Sequence, residues 1–510
     1  MSTFEIDDKD LLGRNATLEL GAKTIETPAL MPVINPHLDI PDLSEAQIVI
    51  TNSYILKTSD DYSQEDLVEG DVHDVIDFDG VVVTDSGSYQ LSVYGEGEID
   101  AGNREILEFQ RDIGSDVITP LDIPTDPDAS RETTEIELET TEDRIGEASK
   151  ITKDWDVEVN YPVQGGVHKD LRTRAGESVM EYDPDICPIG GVVPLMENYR
   201  YPELVDVVIA AKKGLGSGVP VHLFGAGHPM IFALAVAMGC DLFDSAAYAL
   251  YAKQGRYLTV EGTREIEDMT ELPCTCRVCR GNQPEDLDKH PGKLVEHNLA
   301  VSFAEIRRVR EAVRSGDLYE LLERRCRSHP KLLDGLKRYG EHVDYVEKYD
   351  PACKSTFFYL GSSSRPEVYR QHERLDRFDL SEYLGEPDRA DYAETDDGET
   401  ENGEDQSTGT ELDEEVLATT QRPNGRDVLL VRPPFPPYPR ELAQTYPFNA
   451  ELSDEPGDEA IDSSLRGLER LMELHPGKEF RLEHPGWSPE KYPRLGRLID
   501  NGMHTRDVDS

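Results

Sequence analysis

The sequence predicts an α/β protein built on a (β/α)8 (TIM) barrel, with a cysteine-containing subdomain after it and a smaller α+β C-terminal extension. Three observations predict this fold. Between residues 28 and 246, short apolar runs alternate with segments of helical spacing, which is typical of repeated βα units and a parallel sheet. Eight such runs fit a closed barrel, whose usual size is ~250 residues. A cysteine cluster and an acidic stretch then divide the rest of the chain.

The eight runs are the predicted strands, and most are rich in β-branched residues. They span residues 29–34, 48–53, 81–86, 117–122, 161–166, 187–193, 219–227 and 240–245. A doubly wound open sheet is the alternative. Such a sheet usually carries a Gly-rich phosphate loop after its first strand, and no such loop follows the first run here.

Acidic residues dominate the composition. The 510 residues include 103 Asp plus Glu against 52 Lys plus Arg, a net charge of -51, and only 17 of the 52 cations are Lys. This balance excludes a generally basic nucleic-acid coat. Acid is spread through the whole chain, which favours a salt-adapted, halophilic protein over an acidic mesophilic protein with a disordered tail. An RNA partner would have to be met by a local patch.

The chain lacks the signals of export. No segment approaches the ~20 apolar residues that cross a membrane, and MSTFEIDDKDLLGR has no apolar run after a basic start. We therefore expect a cytoplasmic protein with no membrane partner. In a reducing compartment, clustered cysteines indicate metal ligation before disulfides.

Three cysteines lie in the string PCTCRVC, as Cys274, Cys276 and Cys279, and His297 follows in EHNL. Three thiolates and one imidazole complete a closed tetrahedral zinc (Zn) site, so we expect one structural zinc per subunit. His290 is the alternative fourth ligand, less favoured because HPG is typical of a turn. The cluster defines a predicted zinc-binding and helical subdomain at 271–350, after a barrel domain at 1–270.

The charge balance reverses at residues 301–340, where ten Lys or Arg stand against six Asp or Glu, a net of +4. This segment is either a salt-bridged helix face or, beside a metal site, a phosphate-contacting surface. Further along, we expect the C-terminal region to start at 351–385. An acidic disordered linker at 386–416 and a small α+β domain at 417–510 would follow it.

Four predicted strands end in polar groups that suit catalysis, namely Asp85, Asp122, Gln164 and Asp244. Each Asp taken alone could simply cap a helix or turn. Three carboxylates at one rim, however, raise each other's pKa and serve no packing need. Two opposed carboxylates suit displacement at an anomeric carbon, where one attacks and the other moves the proton.

The other polar groups suit the binding of a planar heterocycle. Asp122 and Gln164 offer acceptors and donors at fixed positions. The backbone at Gly190 and Gly191 can approach a ligand without a side chain in the way, although a plain strand bulge would also explain this glycine pair. Tyr89 could stack on the face of the ring.

The chain resembles the tRNA-guanine transglycosylase family in a series of strings that occur in the family's order. They are VVVTDSGSYQ, GSDVITPLD, PVQGGVHKDLR, PIGGVVP, HLFGAGHP and GCDLFDSAAYALYAKQGRYLT, then CTCRVC and a later HNL, over roughly residues 5–350. The DIPT string, YALYAKQGRY and the long C-terminal extension resemble the archaeal branch. That branch replaces guanine at position 15 of tRNA with 7-cyano-7-deazaguanine (preQ0), a step toward archaeosine.

The resemblance implies a ping-pong base exchange without ATP or nicotinamide. Asp85 and Asp244 would be the catalytic carboxylates. We prefer Asp244 as the nucleophile that forms a covalent tRNA–enzyme ester and Asp85 as the acid/base, and the reverse assignment stays open. The residues implied to bind the incoming base are Asp122, Gln164, Gly190, Gly191 and Tyr89. The residues implied to bind zinc are Cys274, Cys276, Cys279 and His297.

The resemblance also implies a homodimer. Archaeal members often end in a small RNA-binding module of the PUA type, whose Gly-rich strand pattern is not recognisable before Ser510. We expect either that another, PUA-containing protein supplies the module or that the basic residues 301–340 suffice. Two other functions remain: a bacterial-type transglycosylase that uses a queuine precursor at position 34, and a non-catalytic RNA-binding paralogue.

Overall fold

The structure of the protein, a computed structural model, describes residues 2–35, 40–58, 64–88, 102–351, 359–360, 427–430, 451–452, 458–474, 476, 479–484 and 486–507. The chain divides into two compact units, Met1–Asp350 and Pro351–Ser510. The predicted barrel and the cysteine cluster both fall in the first unit. The predicted boundary at residue 270 lies inside that unit and stays a prediction. The predicted acidic linker lies outside the described residues.

The first unit begins with an antiparallel sheet that the sequence reasoning did not anticipate. Its strands are β1 (Thr3–Asp10), β2 (Gly13–Leu20) and β3 (Lys23–Thr27), in the order β1–β2–β3. Leu18, Leu20 and Ile25 are buried and join a core cluster with residues of the parallel strands that follow. The sheet therefore packs against the rest of the first unit through its apolar face.

Eight short strands then form two parallel sheets of four strands each. The strands are β4 (Ala29–Pro32), β5 (Ile48–Asn52), β6 (Val81–Asp85), β7 (Val117–Ile118), β8 (Glu158–Val159), β9 (Cys187–Ile189), β10 (Val221–Leu223) and β11 (Leu242–Ser245). The sheets have the orders β5–β6–β7–β8 and β4–β11–β10–β9. Single parallel bridges lie beside their edge strands, joining Val33 to Ile50, Asn160 to Ile186, and Val163 to Ile189. Continuous β-branched runs suit such strands because both of their faces are buried.

The parallel mixed α/β architecture is confirmed, and seven of the eight predicted strands overlap observed ones. The fifth is wrong in position, because β8 ends at Val159 and the prediction began at residue 161. Beyond β8 the chain keeps only isolated bridges, and Gly165 and Gly166 adopt positive φ angles of 130° and 56°. These glycines turn the backbone away from regular strand geometry at the point where Gln164 projects.

Helices follow most of the parallel strands and continue through the cysteine region. They are α1 (Ser53–Lys57), α2 (Gln64–Ile76, interrupted at Asp71), α3 (Asn103–Asp112), α4 (Arg131–Thr152), α5 (Lys169–Met180), α6 (Val193–Glu197), α7 (Tyr201–Leu215), α8 (Phe232–Ala237), α9 (Ala247–Lys253), α10 (Pro284–Lys289), α11 (Pro291–Ser315), α12 (Leu318–Cys326), α13 (Pro330–Gly340) and α14 (Val343–Val346). A hairpin of β12 (Arg256–Thr259) and β13 (Gly262–Glu265) precedes the cysteines. His290 lies between α10 and α11, so HPG begins a helix here and not a turn.

The second unit contains β14 (Tyr359–Leu360), β15 (Asp427–Leu430), β16 (Glu451–Leu452), α15 (Asp458–Leu474), β17 (Glu479–His484), α16 (Pro493–Asp500) and β18 (His504–Asp507). The strands β15, β17 and β18 pair in parallel, with α15 and α16 between successive strands. This alternation is typical of an α/β unit, whereas we expected α+β. Among the described residues, no helix combines the length and apolar character that crossing a membrane requires.

Candidate active site and metal centre

Asp85 is the last residue of β6 and pairs in register with Asn52, the last residue of β5. Asn52 Nδ2 donates to Asp85 Oδ2 at 3.1 Å, and the Gly87 amide donates to Oδ1 at 3.3 Å. Asn52 also caps α1, since its Oδ1 accepts from the Ile55 amide at 3.0 Å. One side chain thus fixes both the start of the helix and the orientation of the carboxyl group.

The electrostatics of Asp85 place the predicted carboxylates together. Burial is the largest cause that raises its pKa to about 7, and the charges of Asp122 and Asp244 raise it as well. The hydrogen bonds from Gly87 and Asn52 act in the opposite direction. An ordinary Asp is ionised at neutral pH, whereas a group with this pKa exchanges a proton there, as an acid/base catalyst must.

Asp244 lies in β11 and is held through one oxygen. His222 Nε2 lies 2.8 Å from Asp244 Oδ1, and the Gly225 amide donates to the same oxygen at 2.6 Å. His222 is fully buried in β10, and its Nδ1 has no hydrogen-bond partner among the described residues. Since a carboxylate oxygen accepts, Nε2 carries a proton and donates it to Oδ1. The sequence reasoning missed His222, because a single histidine in a strand does not reveal its partner.

Asp122 and Gln164 form the next polar pair. Gln164 Nε2 donates to Asp122 Oδ2 at 2.6 Å, while Gln164 Oε1 is buried without a partner among the described residues. The Asp122 amide donates to Ser88 Oγ at 3.2 Å. Burial raises the pKa of Asp122, and the hydrogen bonds from Gln164 and Ser88 partly offset this rise. The pair therefore presents unused acceptor capacity.

Gly190 and Gly191 lie directly after β9, against Gln164. A Cβ atom at Gly190 would lie 2.1 Å from Gln164 Nε2, and one at Gly191 would lie 3.1 Å from Gln164 Oε1. Gly191 also has a positive φ of 67°, which an L side chain rarely adopts. A side chain at either position would displace Gln164, so the pair is more than a strand irregularity. Tyr89 lies outside the described residues.

Arg172 in α5 is a second residue that the sequence reasoning missed. Its side chain is fully buried. Its three guanidinium nitrogens donate to the carbonyls of Val163, Gly166 and Gly190 at 2.7–2.9 Å. One side chain thereby connects the two strand-end segments that hold Gln164 and the glycine pair.

The predicted metal ligands lie in one cluster within the first unit. One donor atom from each of Cys274, Cys276, Cys279 and His297 lies within 4.8 Å of the others. His297 Nδ1 faces the sulfur atoms of Cys276 and Cys279 at 3.6 Å and 3.3 Å. Three sulfurs and one ring nitrogen could hold a metal ion, and His290 is not part of this group.

The surroundings of His297 select the atom that faces the cluster. Its Nε2 lies 3.0 Å from the Leu258 carbonyl oxygen, and Tyr257 stacks on its ring at 3.7 Å between centroids. Since a carbonyl only accepts, Nε2 carries the proton and Nδ1 keeps its lone pair. A fixed ring and a defined tautomer are common features of metal-ligating histidines.

Comparisons with known proteins show which family contains this arrangement of residues. A family model described as queuine tRNA-ribosyltransferase matches residues 8–331. A tRNA-guanine(15) transglycosylase of Haloferax volcanii is 46% identical over 98% of this chain and 93% of its own length. The chain belongs to the tRNA-guanine transglycosylase family. A protein of the same name from Haloarcula marismortui is 43% identical over 99% of this chain and 100% of its own length. One from Methanosarcina mazei is 46% identical over 94% of this chain and 95% of its own length.

The part of the chain that matches the transglycosylase family model contains every predicted catalytic, base-binding and metal-ligating residue. The second unit lies beyond that model. It is nevertheless covered by the Haloferax volcanii and Haloarcula marismortui transglycosylases, whose matches extend over nearly all of this chain.

Residues 301–340 carry mostly paired charges. Eight of the ten cations form ion pairs: Arg307 with Glu45, Arg308 and Arg325 with Glu305, Arg310 with Glu26, Arg314 with Glu311, Arg327 with Glu323, Lys337 with Asp334, and Arg338 with Asp206 and Glu341. Cations that already contact carboxylates attract phosphates less strongly. The pairs therefore favour the interpretation of a salt-bridged helix face over that of a phosphate-contacting surface.

Proposed function

We propose that this protein is a tRNA-guanine(15) transglycosylase, which exchanges guanine at position 15 of tRNA for 7-cyano-7-deazaguanine. The observation that carries the proposal is the group of Asp85, Asp122 and Asp244 at the strand ends, where the charges of two carboxylates raise the pKa of the third. Relatives named tRNA-guanine(15) transglycosylase match nearly the whole chain. Those names favour position 15 over exchange of a queuine precursor at position 34.

In the proposed first half-reaction, Asp244 attacks the ribose anomeric carbon of guanosine 15. Two hydrogen bonds occupy Oδ1 of Asp244, so Oδ2 is the attacking oxygen. The bond from the anomeric carbon to N9 of guanine breaks as the bond to Oδ2 forms. Asp85 gives its proton to the departing guanine, which leaves as a neutral base, and a covalent ester remains.

In the second half-reaction, the incoming deazaguanine displaces the ester. Its N9 loses a proton to Asp85 and attacks the anomeric carbon, and the bond to Asp244 breaks. Asp85 and Asp244 return to their starting states, so no further reactant is needed. The pKa of Asp85 at about 7 suits both directions of proton transfer near neutral pH.

The proposed base site consists of Asp122, Gln164 and the backbone of Gly190 and Gly191. A guanine-like ring carries N–H donors beside a carbonyl acceptor. Asp122 and Gln164 Oε1, which has no partner among the described residues, supply acceptors for those donors, and the glycine backbone supplies an N–H group. Tyr89 would stack on the ring.

We propose in addition that the two four-stranded sheets form one closed (β/α)8 barrel. The parallel bridges from Val33 to Ile50, from Asn160 to Ile186 and from Val163 to Ile189 support closure at both seams. In such a barrel the ends of β6 and β11 face the same mouth, as a shared ribose requires.

The proposed metal is one structural zinc. Three thiolates and His297 Nδ1 would complete a tetrahedral site, which would leave no position for a reacting water. We retain three further proposals: a homodimer, tRNA contacts aided by a separate PUA-containing protein, and salt adaptation in the cytoplasm. Salt adaptation is supported by the net charge of -51 and by the two haloarchaeal relatives.

Base exchange into a tRNA transcript tests the function. We expect labelled guanine and 7-cyano-7-deazaguanine to be incorporated, with incorporation lost when position 15 is changed and kept when position 34 is changed. Asp85→Asn and Asp244→Asn are the matched variants, and each is expected to abolish exchange while tRNA still binds. Incorporation of queuine or its aminomethyl precursor at position 34 would establish the bacterial-type activity. Absence of any incorporation would leave the RNA-binding paralogue.

A covalent adduct trapped with tRNA identifies the nucleophile. We expect the modified peptide to contain Asp244, and Asp244→Asn to give no adduct. An adduct located on Asp85 would reverse the two roles. The adduct decides between the two roles, since Asp85 and Asp244 each lie near the carboxyl end of a parallel strand and their charges interact.

A further inference from the structure

Arg172 is an unusual charge, because it is fully buried and its contacts are carbonyl oxygens. The guanidinium donates to Val163 O at 2.7 Å, Gly166 O at 2.8 Å and Gly190 O at 2.9 Å. Burial lowers its pKa to about 9, which leaves the group charged at neutral pH. Desolvation of a charge is costly, so such a residue contributes something that an apolar side chain would not.

The contact with Gly190 fixes the orientation of the next peptide group. In a trans peptide, the C=O of one residue and the N–H of the next point in opposite directions. Because Gly190 O faces Arg172, the N–H of Gly191 points away from Arg172. This N–H makes no hydrogen bond within the described part of the chain. Gln164 Oε1 has no partner among those residues either, and a Cβ atom at Gly191 would lie 3.1 Å from it. The Gly191 backbone, with its unused N–H, therefore lies beside an available acceptor.

We propose that Arg172 is a positioning residue for base recognition, which holds the Gly190–Gly191 peptide so that the Gly191 N–H donates to a ring carbonyl of a purine-type base. The inference rests on the proposed function and deepens it. The Arg172 contact also polarises the peptide, because a hydrogen bond to its oxygen makes its N–H a stronger donor. The ligand class is a guanine-like base with a carbonyl oxygen beside a ring N–H.

The test compares guanine with 2,6-diaminopurine, in which an amino group replaces that carbonyl. We expect the wild-type protein to prefer guanine, measured as the ratio of kcat/KM values for base exchange into tRNA. Arg172→Met, which keeps the length without the charge, should reduce this preference by about tenfold and raise KM for guanine, since one hydrogen bond to the base is weakened. Arg172→Lys keeps the charge but not the three-way fork, and should fall between the two.

Arg14 supplies a matched control for the loss of a buried arginine. It is also buried, donates to the carbonyls of Ser217 and Val219, and pairs with Asp241, which precedes the strand that carries Asp244. Arg14→Met should lower stability without changing base preference. A purely structural Arg172 would behave in the same way, so an unchanged preference in both Arg172 variants would overturn the inference.

The wild-type protein alone keeps the inference falsifiable if the Arg172 variants do not fold. Exchange of guanine without preference over 2,6-diaminopurine would show that no backbone donor reads the carbonyl. The proposed function would then stand while the role of Arg172 failed. Absence of exchange with every base would instead contradict the proposed function itself.

Discussion

The raised pKa of Asp85 leads to a prediction about pH. The group must be protonated to act on departing guanine, so the rate of guanine release should be high below pH 7 and fall as pH rises through the pKa of about 7. Asn52 opposes this rise, because Nδ2 donates to the ionised carboxylate at 3.1 Å. Removing the donor should therefore raise the pKa of Asp85 further and extend activity to higher pH.

Asn52→Ser is the variant that tests this reasoning. Serine is a good helix cap, so α1 keeps a cap, while its short side chain lacks the amide that reaches Asp85. A hydrogen bond to a charged group contributes about 1.5–3 kcal/mol, and 1.36 kcal/mol corresponds to about one pKa unit. We take the lower end and expect an upward shift of about one unit. At pH 8 the protonated fraction of Asp85 would then be roughly one half in the variant, against roughly one tenth in the wild type. The rate at pH 8, divided by the same protein's maximal rate at low pH, should therefore be about fivefold higher in the variant.

The assay is single-turnover release of guanine from labelled tRNA at saturating protein, followed across pH. Ser130→Ala is the control, because Ser130 caps α4 through the Thr133 amide and lies apart from Asp85 in the chain. The Ser130→Ala variant should lose stability without moving the alkaline limb of the pH profile, which is the fall in the rate of guanine release as pH rises through about 7. An alkaline limb that stays in place in Asn52→Ser would refute the assigned role of the Asn52 contact, and a wild-type rate without a limb near pH 7 would refute Asp85 as the acid.

Three other predictions follow from single contacts. His222→Leu should lower the rate of covalent adduct formation at least tenfold, because Asp244 loses a donor to Oδ1. His222→Gln should recover part of this rate, because its Nε2 can replace the ring donor. Equal rates in the two variants would exclude this role of His222. Cys276→Ser should lower the Tm by roughly 5 °C or more. A chelator should lower the Tm of the wild type but not that of the variant. A chelator without effect on the wild type would argue against a structural metal. Asp85→Asn should raise the Tm above pH 7 and leave it unchanged below pH 4. The folded pKa of about 7 exceeds the unfolded value of 3.8, so the stability of the wild type falls as pH rises between these two values. Thermal scans across this range that show no gain in the variant would contradict the raised pKa of Asp85.

The sequence alone predicted the features that depend on local pattern. Runs such as residues 48–53 and 81–86 contain the buried strands β5 and β6, because β-branched residues fill both faces of each strand. The polar groups follow at the strand ends by simple chain order. The cluster of Cys274, Cys276 and Cys279 was predictable because its spacing already brings three donors together. In both cases, neighbours in sequence are neighbours in space.

The missed features depend on partners distant in the chain. His222 and Asp244 are 22 residues apart, and Arg172 bonds Gly190 from 18 residues away, so neither contact leaves a pattern in the sequence. The charge balance of residues 301–340 left two interpretations open for the same reason, since Arg310 pairs with Glu26 in β3 and Arg307 pairs with Glu45 in the turn before β5. A count of charges does not reveal which are already neutralised.

The ion pairs on the surface and the buried contacts of the site respond differently to salt. Exposed pairs such as Arg307 with Glu45 are screened strongly, since the Debye length falls to about 3 Å at 1 M salt. The contacts that set the chemistry, from Asn52 to Asp85 and from His222 to Asp244, are largely buried and are screened much less. Salt should therefore weaken tRNA binding through its phosphates while the alkaline limb of guanine release stays near pH 7. An acidic surface of this charge is compatible with a pH-tuned site because the two are electrostatically separate.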